Sequence, residues 1–186
     1  MFKNKVDLLE IKFVGNINVT INSEFMTKIF GIFPMIKIDA GNKTNTIIEF
    51  PPDQKIKIES FELSGGNIYF KGNFRLQCDS KLTIENTSIY GTDGSVVELV
   101  AIKPVLNQLV FNSLIYINIG YSGKIDSSEH DLTTCDISNV RYILNKFTDN
   151  LANTYTQPLL TILGIKHLSI FDISLNRDII YTTNYV

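Results

Sequence analysis

The sequence has no tryptophan, two cysteines, two histidines and five prolines. Each scarcity closes a class of function. Cys78 and Cys135 are too few for a disulfide scaffold and form no Cys-x-x-Cys pair. They read as small buried hydrophobes. His130 and His167 give little material for acid-base or metal chemistry. His130 lies in Asp126-Ser-Ser-Glu129-His130-Asp131, which matches no helical zinc motif or calcium loop and reads as a solvated acidic loop. His167 lies in an alternating stretch and reads as structural.

Other signatures are missing too. No Gly-x-Ser-x-Gly elbow is present. Gly120-Tyr-Ser-Gly123 lacks the Gly-Lys-Ser/Thr ending of a phosphate loop. The expectation is a protein that is not an enzyme, with no catalytic residues, no cofactor and no metal. Net charge is −2, so no basic field gathers phosphate backbones, and nucleic acid is not an expected partner. The N-terminus lacks the apolar core of a signal peptide. The uncharged run from Pro104 to Gly123 is interrupted by Asn107, Gln108, Asn112, Ser113 and Asn118, whose amides need partners in lipid. A soluble chain without a transmembrane segment or signal peptide is expected.

What is present is apolar and strand-like. Hydrophobic residues make up 44% and charged ones 19%, enough for a single domain over 1–186 with its own core. Isoleucine, asparagine, lysine and tyrosine are abundant. Branched isoleucine favours strands, and an AT-rich genome would enrich the same residues. Asn18, Asn42 and Asn86 begin Asn-x-Ser/Thr triplets, which so asparagine-rich a chain produces by chance.

Residues 6–22 alternate through Leu9, Ile11 and Phe13, then Ile17, Val19 and Ile21, as two strands or one bent strand. Glu24 to Phe30 suits a short helical turn. Ile32–Asp39 and Thr46–Phe50 read as a hairpin around Ala40-Gly41-Asn42-Lys43. A strand through Ile56 and Ile58 turns at Ser64-Gly65-Gly66-Asn67 into Ile68–Cys78. Leu82, Ile84 and Ile89 continue the meander, and Ser95–Ile102 suits a central strand. Residues 105–119 fit helix or strand.

A helix is predicted over 136–156, capped by Asp136 or Ser138, with Val140, Ile143, Leu144, Phe147, Leu151, Ala152 and Tyr155 on one face. That stripe either fills a core or lines an apolar groove. As a groove, its candidate binding residues are Val140, Ile143, Leu144, Phe147, Leu151 and Tyr155. Lys166–Leu175 and Ile179–Tyr185 read as a closing hairpin. No fixed-period repeat is seen.

Phe30-Gly31-Ile32-Phe33-Pro34-Met35-Ile36-Lys37-Ile38-Asp39-Ala40-Gly41-Asn42, followed by Thr46-Ile47-Ile48-Glu49-Phe50-Pro51, resembles the OrfX-type proteins encoded beside some botulinum neurotoxin genes. The segment departs from that pattern by lacking tryptophan and by carrying Gly41-Asn42 where Gly-Gly is common. The resemblance implies a TULIP-like (tubular lipid-binding) α+β fold: a strongly curved, mainly antiparallel β-sheet wrapping one long α-helix. It further implies a clostridial toxin-accessory protein, released with a toxin complex. Its partner would be lipid or another hydrophobic ligand, or a larger related OrfX-type protein in a heteromeric complex. The competing expectation is a β-rich structural or adaptor protein, a viral or secreted assembly component without a lipid ligand, that assembles through exposed strand edges. The terminal segment Lys166–Tyr185 is the candidate edge.

Overall fold

The computed structural model describes residues 7–14, 19–41, 45–113, 115–121, 123, 127–142, 159–175 and 180–183. Among the described residues, thirteen strands and one α-helix follow in order. The strands are β1 (Leu8–Lys12), β2 (Thr20–Ile21), β3 (Met35–Gly41), β4 (Ile47–Phe50), β5 (Gln54–Gly65), β6 (Asn67–Phe70), β7 (Phe74–Gly91), β8 (Ser95–Phe111), β9 (Ile115–Gly120), β10 (Thr134–Tyr142), β11 (Leu160–Leu163), β12 (His167–Leu175) and β13 (Ile180–Thr183). The helix α1 (Ser23–Ile32) lies between β2 and β3.

Every strand pair among the described residues is parallel. The chain coils, and each turn stacks on the one before it. Ile11 lies against Ile38, Ile38 against Leu63, Leu63 against Ile84, Ile84 against Leu106, Leu106 against Ile137 and Ile137 against Ile170. This is a parallel β-solenoid. It replaces the expected α+β architecture, the mainly antiparallel sheet wrapping a long helix, and with it the TULIP-like fold.

Each complete turn has three runs. Face A holds 54–58 of β5, 74–78 of β7, the first part of β8, then β9, β11 and β13. Face B holds β1, β3, 60–64, 81–85, 103–107, and the first halves of β10 and β12. Face C holds β2, β4, β6, 87–91, 109–111 and the ends of β10 and β12. Alternate side chains point inward, and those at one position of successive turns form columns. On face C the column runs Ile21, Ile48, Ile68, Ile89 and Phe111, all buried. Stacking like on like buries apolar area continuously, so no turn is stable without its neighbours.

The corner between faces B and C explains how one chain rounds three faces with few loops. Asn86, Gln108, Asn139 and Asp172 have φ of 53°, 52°, 54° and 48°. They fall at equivalent places, each between the last face-B residue and the first face-C residue of its turn. A left-handed residue turns the backbone sharply, and asparagine and aspartate tolerate it best after glycine. At the corresponding corner of the preceding turns stand Gly41, Gly65 and Gly66, also at positive φ. A short motif results: Leu82-x-Ile84-x-Asn86-Thr87-x-Ile89, then Pro104-x-Leu106-x-Gln108-Leu109-x-Phe111, then Cys135-x-Ile137-x-Asn139-Val140. We expect Asn86→Gly to leave stability unchanged or slightly raised and Asn86→Val to lower it by about 1–2 kcal/mol; urea midpoints of the two variants check this.

Several sequence expectations are corrected by the topology. The region predicted as a helix over 136–156 begins as strand β10, and 143–158 lie outside the described residues. Val140 falls in β10, buried between Leu109 and Ile173 of neighbouring turns. β3 and β4 form no hairpin, since β3 pairs with β1 and β5 while β4 pairs with β2 and β6. The closing hairpin is absent as well: β12 pairs with β10, and β13 with β11. The ambiguous 105–119 stretch resolves into the end of β8 and all of β9. The helical turn at 24–30 is present and longer, running Ser23–Ile32.

Helix α1 stands where other turns place a face-A strand. Asn22 caps it, its Oδ1 accepting from the Phe25 amide at 2.9 Å. Met26, Ile29 and Phe30 at i, i+3 and i+4 are buried. Phe30 meets the rings of Phe61 and Phe50, with centroids 5.6 and 6.3 Å away. The helix thereby covers the start of the core, the role a capping element plays in a repeat stack. No helix among the described residues is long and apolar enough to cross a membrane.

Outward positions of the first turns carry charge of alternating sign, whereas Lys55 faces Arg75 and Lys81 faces Lys103 further along the stack. Glu10, Lys37 and Glu62 are successive register partners, and Lys37 Nζ lies 3.4 Å from Glu10. Lys81 bridges to Glu62 at 3.0 Å and Arg75 to Glu98 at 3.0 Å. These pairs are largely solvated, each worth at most about 1 kcal/mol.

Candidate functional site

Two places depart from the closed, repetitive stack. The first is the excursion between β9 and β10. The chain leaves face A at Tyr121 and returns through a short 3-10 helix at His130–Leu132. Tyr121 Oη lies 3.2 Å from Ser127 Oγ and donates to Glu129 Oε2 at 3.4 Å. The Tyr121 ring sits 5.8 Å from the His130 imidazole. Thr133 anchors the return: its hydroxyl donates to the His130 carbonyl at 2.7 Å and accepts from the Lys166 amide at 2.8 Å. Beneath the excursion lies an open cleft of about 410 Å³, lined by Lys57, Gln77, Asp79, Tyr121 and Glu129 among others.

The cleft offers modest chemistry. Lys57 Nζ is held by Asp79 at 3.2 Å, both well exposed. Cys78 at its floor is buried. Burial pushes the Cys78 thiol up to about 12, with the Asp79 charge adding to the effect, and burial likewise pushes Cys135 up to about 12. Both thiols are protonated near neutral pH and are poor nucleophiles. Among the described residues, no three His, Cys, Asp or Glu side chains come together to hold a metal.

These thiols carry a prediction. Unfolded, they ionise near pH 9; folded, they hold their protons to about 12. The unfolded state therefore binds fewer protons above pH 9, and stability falls from there towards pH 12, by up to about 1.4 kcal/mol per pH unit for each thiol. Denaturant melts from pH 8 to 11 should show the decline, and the Cys78→Ala/Cys135→Ala protein should show less of it.

The second place is the last described turn on faces B and C. In β10 the inward residues Cys135 and Ile137 are 0% and 1% exposed. Their register partners in β12, Leu168 and Ile170, are 38% and 37% exposed. Phe171, on the outward side, is 70% exposed. The inward column thus continues into β12 with no described turn covering it. β12 pairs only with β10 among the described strands, so no described strand lies along its other edge. Lys166–Tyr185, expected as a terminal hairpin at an edge, holds instead β12 and β13, which pair with β10 and β11 and are the last described strands of their faces.

Of the sequence-derived groove residues, Val140 lies inside the core, whereas Ile143, Leu144, Phe147, Leu151 and Tyr155 lie outside the described residues. His130 sits in the excursion and His167 opens β12, exposed. Tyr121 and Glu129 lie in segments singled out in the sequence, but no motif marks their contact, and the open column needed the repeat to be seen first. No known protein family matches the chain, and no curated protein or solved structure does either.

Proposed function

We propose that this protein is a non-catalytic structural or adaptor component that works by association through the exposed last described turn of its solenoid. One observation carries the reading: a column closed at 0–2% exposure through Ile38, Leu63, Ile84, Leu106 and Ile137 opens to 37% at Ile170. Burying an apolar side chain of this size is worth about 1.5–3 kcal/mol when complete, and an edge strand supplies the backbone hydrogen bonds that direct a partner. Lipid binding loses its support, because it rested on a helix lying in a curved antiparallel sheet.

The double variant Leu168→Lys/Ile170→Lys tests the reading. Its charges lie at the stack end, where water remains within reach, so the fold should survive with an unchanged circular dichroism spectrum. The native chain should either bind an apolar fluorescent dye or sediment as an associated species, and the variant should lose whichever the native chain shows. A folded variant matching the native chain in both measurements would end the proposal.

A further inference from the structure

Resting on that association reading, we propose that the partner is a second copy of this chain, stacked head to tail, with β1 of one protomer extending the face-B sheet beyond β12 of the next.

The large exposed hydrophobics are concentrated at the two ends. Among the described residues they are Leu8, Val14, Phe25, Ile32, Tyr69, Tyr90, Leu132, Leu168, Ile170 and Phe171. Seven of these ten belong to segment 8–32 or to β12. Only three lie along the sides, although the sides contain most of the chain. Two copies stacked head to tail bring these two surfaces together, each covering the other.

Register supplies the specificity. β1 is the first strand of face B and pairs only with β3 among the described strands. Ile11 and Ile170 belong to one column, six steps apart. Continuing that column across the junction places Ile170 against Ile11 and Leu168 against Leu9. Outward, Ser169 meets Glu10 and Phe171 meets Lys12. No like charges face each other. Lys12, already 3.7 Å from Asp39 on its own protomer, gains the ring of Phe171 and the neighbouring carboxylate of Asp172.

Helix α1 occupies the face-A position of the first turn, so face A meets a helix at the junction while face B continues as sheet. Head and tail are different surfaces, so the contact is heterologous and does not close by two-fold symmetry; it propagates into a ladder of oligomers.

The test uses Glu10→Cys and Ser169→Cys, each in a separate copy of the chain, both outward-facing. The two are mixed and treated with a short bis-maleimide; buried Cys78 and Cys135 stay silent. The expected result is a mixed product several-fold more abundant than either like-with-like product. A mixture of Glu10→Cys with Ser174→Cys, displaced along β12, should give little. Adding Leu168→Lys/Ile170→Lys to the Ser169→Cys chain should abolish the mixed product. Equal yields of like and mixed products, or none at high micromolar protein, overturn the stacking. If the uncrosslinked chain is then a dye-binding monomer, the association reading survives with a different partner. If it neither binds dye nor associates, both fail.

Discussion

Gly65→Ala is expected to cost more than about 3 kcal/mol and to leave little folded protein at ambient temperature. Gly65 sits at φ 77°, at the corner between faces B and C. An added Cβ would lie 1.7 Å from the Gly41 carbonyl oxygen and 2.7 Å from its carbon. Both are backbone atoms of the preceding turn, so no rotamer change relieves the clash. Turns stack about 4.8 Å apart, and separating them would break the inward columns on either side. Gly94→Ala is the control. Gly94 has φ 84° with nothing within 4 Å of the added carbon, so it should cost only the conformational term, about 1 kcal/mol. Chemical denaturation of the two variants separates crowding from backbone preference. Equal, small costs would mean that the turns are not stacked this closely.

A second large effect is expected along the inward column of face B. Ile84→Ala, in mid-stack at 2% exposure, should lose about 2–5 kcal/mol, because the space it leaves is walled by Leu63 and Leu106 of adjacent turns. The same change at Ile170 should cost less than about 1 kcal/mol in the monomer, since that side chain is already partly in water. The gradient is the informative part. A solenoid makes each residue's cost depend on the turns above and below it, and a single globular core would not order the two sites by position in the stack. Urea midpoints at low protein concentration check it.

Much of the strand content was legible in the sequence. The alternation of Leu9 with Ile11, of Ile56 with Ile58 and of Leu82 with Ile84 marks true strands, and both cysteines are buried as their scarcity suggested. Direction was not legible. A strand with one buried face has period two whether its neighbour runs parallel or antiparallel. Short turns rich in glycine and asparagine serve solenoid corners as well as hairpins. Returning to the same column takes 21 residues from Leu63 to Ile84 but 33 from Ile137 to Ile170, so a search for a fixed period finds nothing.

The start of the helix expected over 136–156 is strand β10, and residues 143–158, which hold the rest of its stripe, lie outside the described residues. At the left-handed corner the alternation slips by one residue, so the next inward side chain after Ile137 is Val140, three positions on. The same step joins Leu106 to Leu109 and Ile84 to Thr87. An i, i+3 spacing thus arises from a bent strand and imitates helical periodicity. Asn139 between the two inward residues was the available sign, being one of a series with Asn86 and Gln108. The open end at Ile170 could not be read, since exposure there depends on which turn lies beside it.

Inter-residue distance along one outward column tests the solenoid most directly. Glu10, Lys37, Glu62, Thr83, Val105, Asp136 and Ser169 are successive register partners. Spin labels on cysteines replacing Lys37 and Asp136, four steps apart, should lie about 19 Å apart at the backbone, and the Glu10 and Asp136 pair, five steps apart, about 24 Å. Dilution with unlabelled protein isolates the distance within one chain. Separations that grow by about 4.8 Å with each added step are the expected result. Distances that do not scale with the number of turns, or that place Lys37 farther from Asp136 than Glu10 is, would contradict the stacked parallel fold.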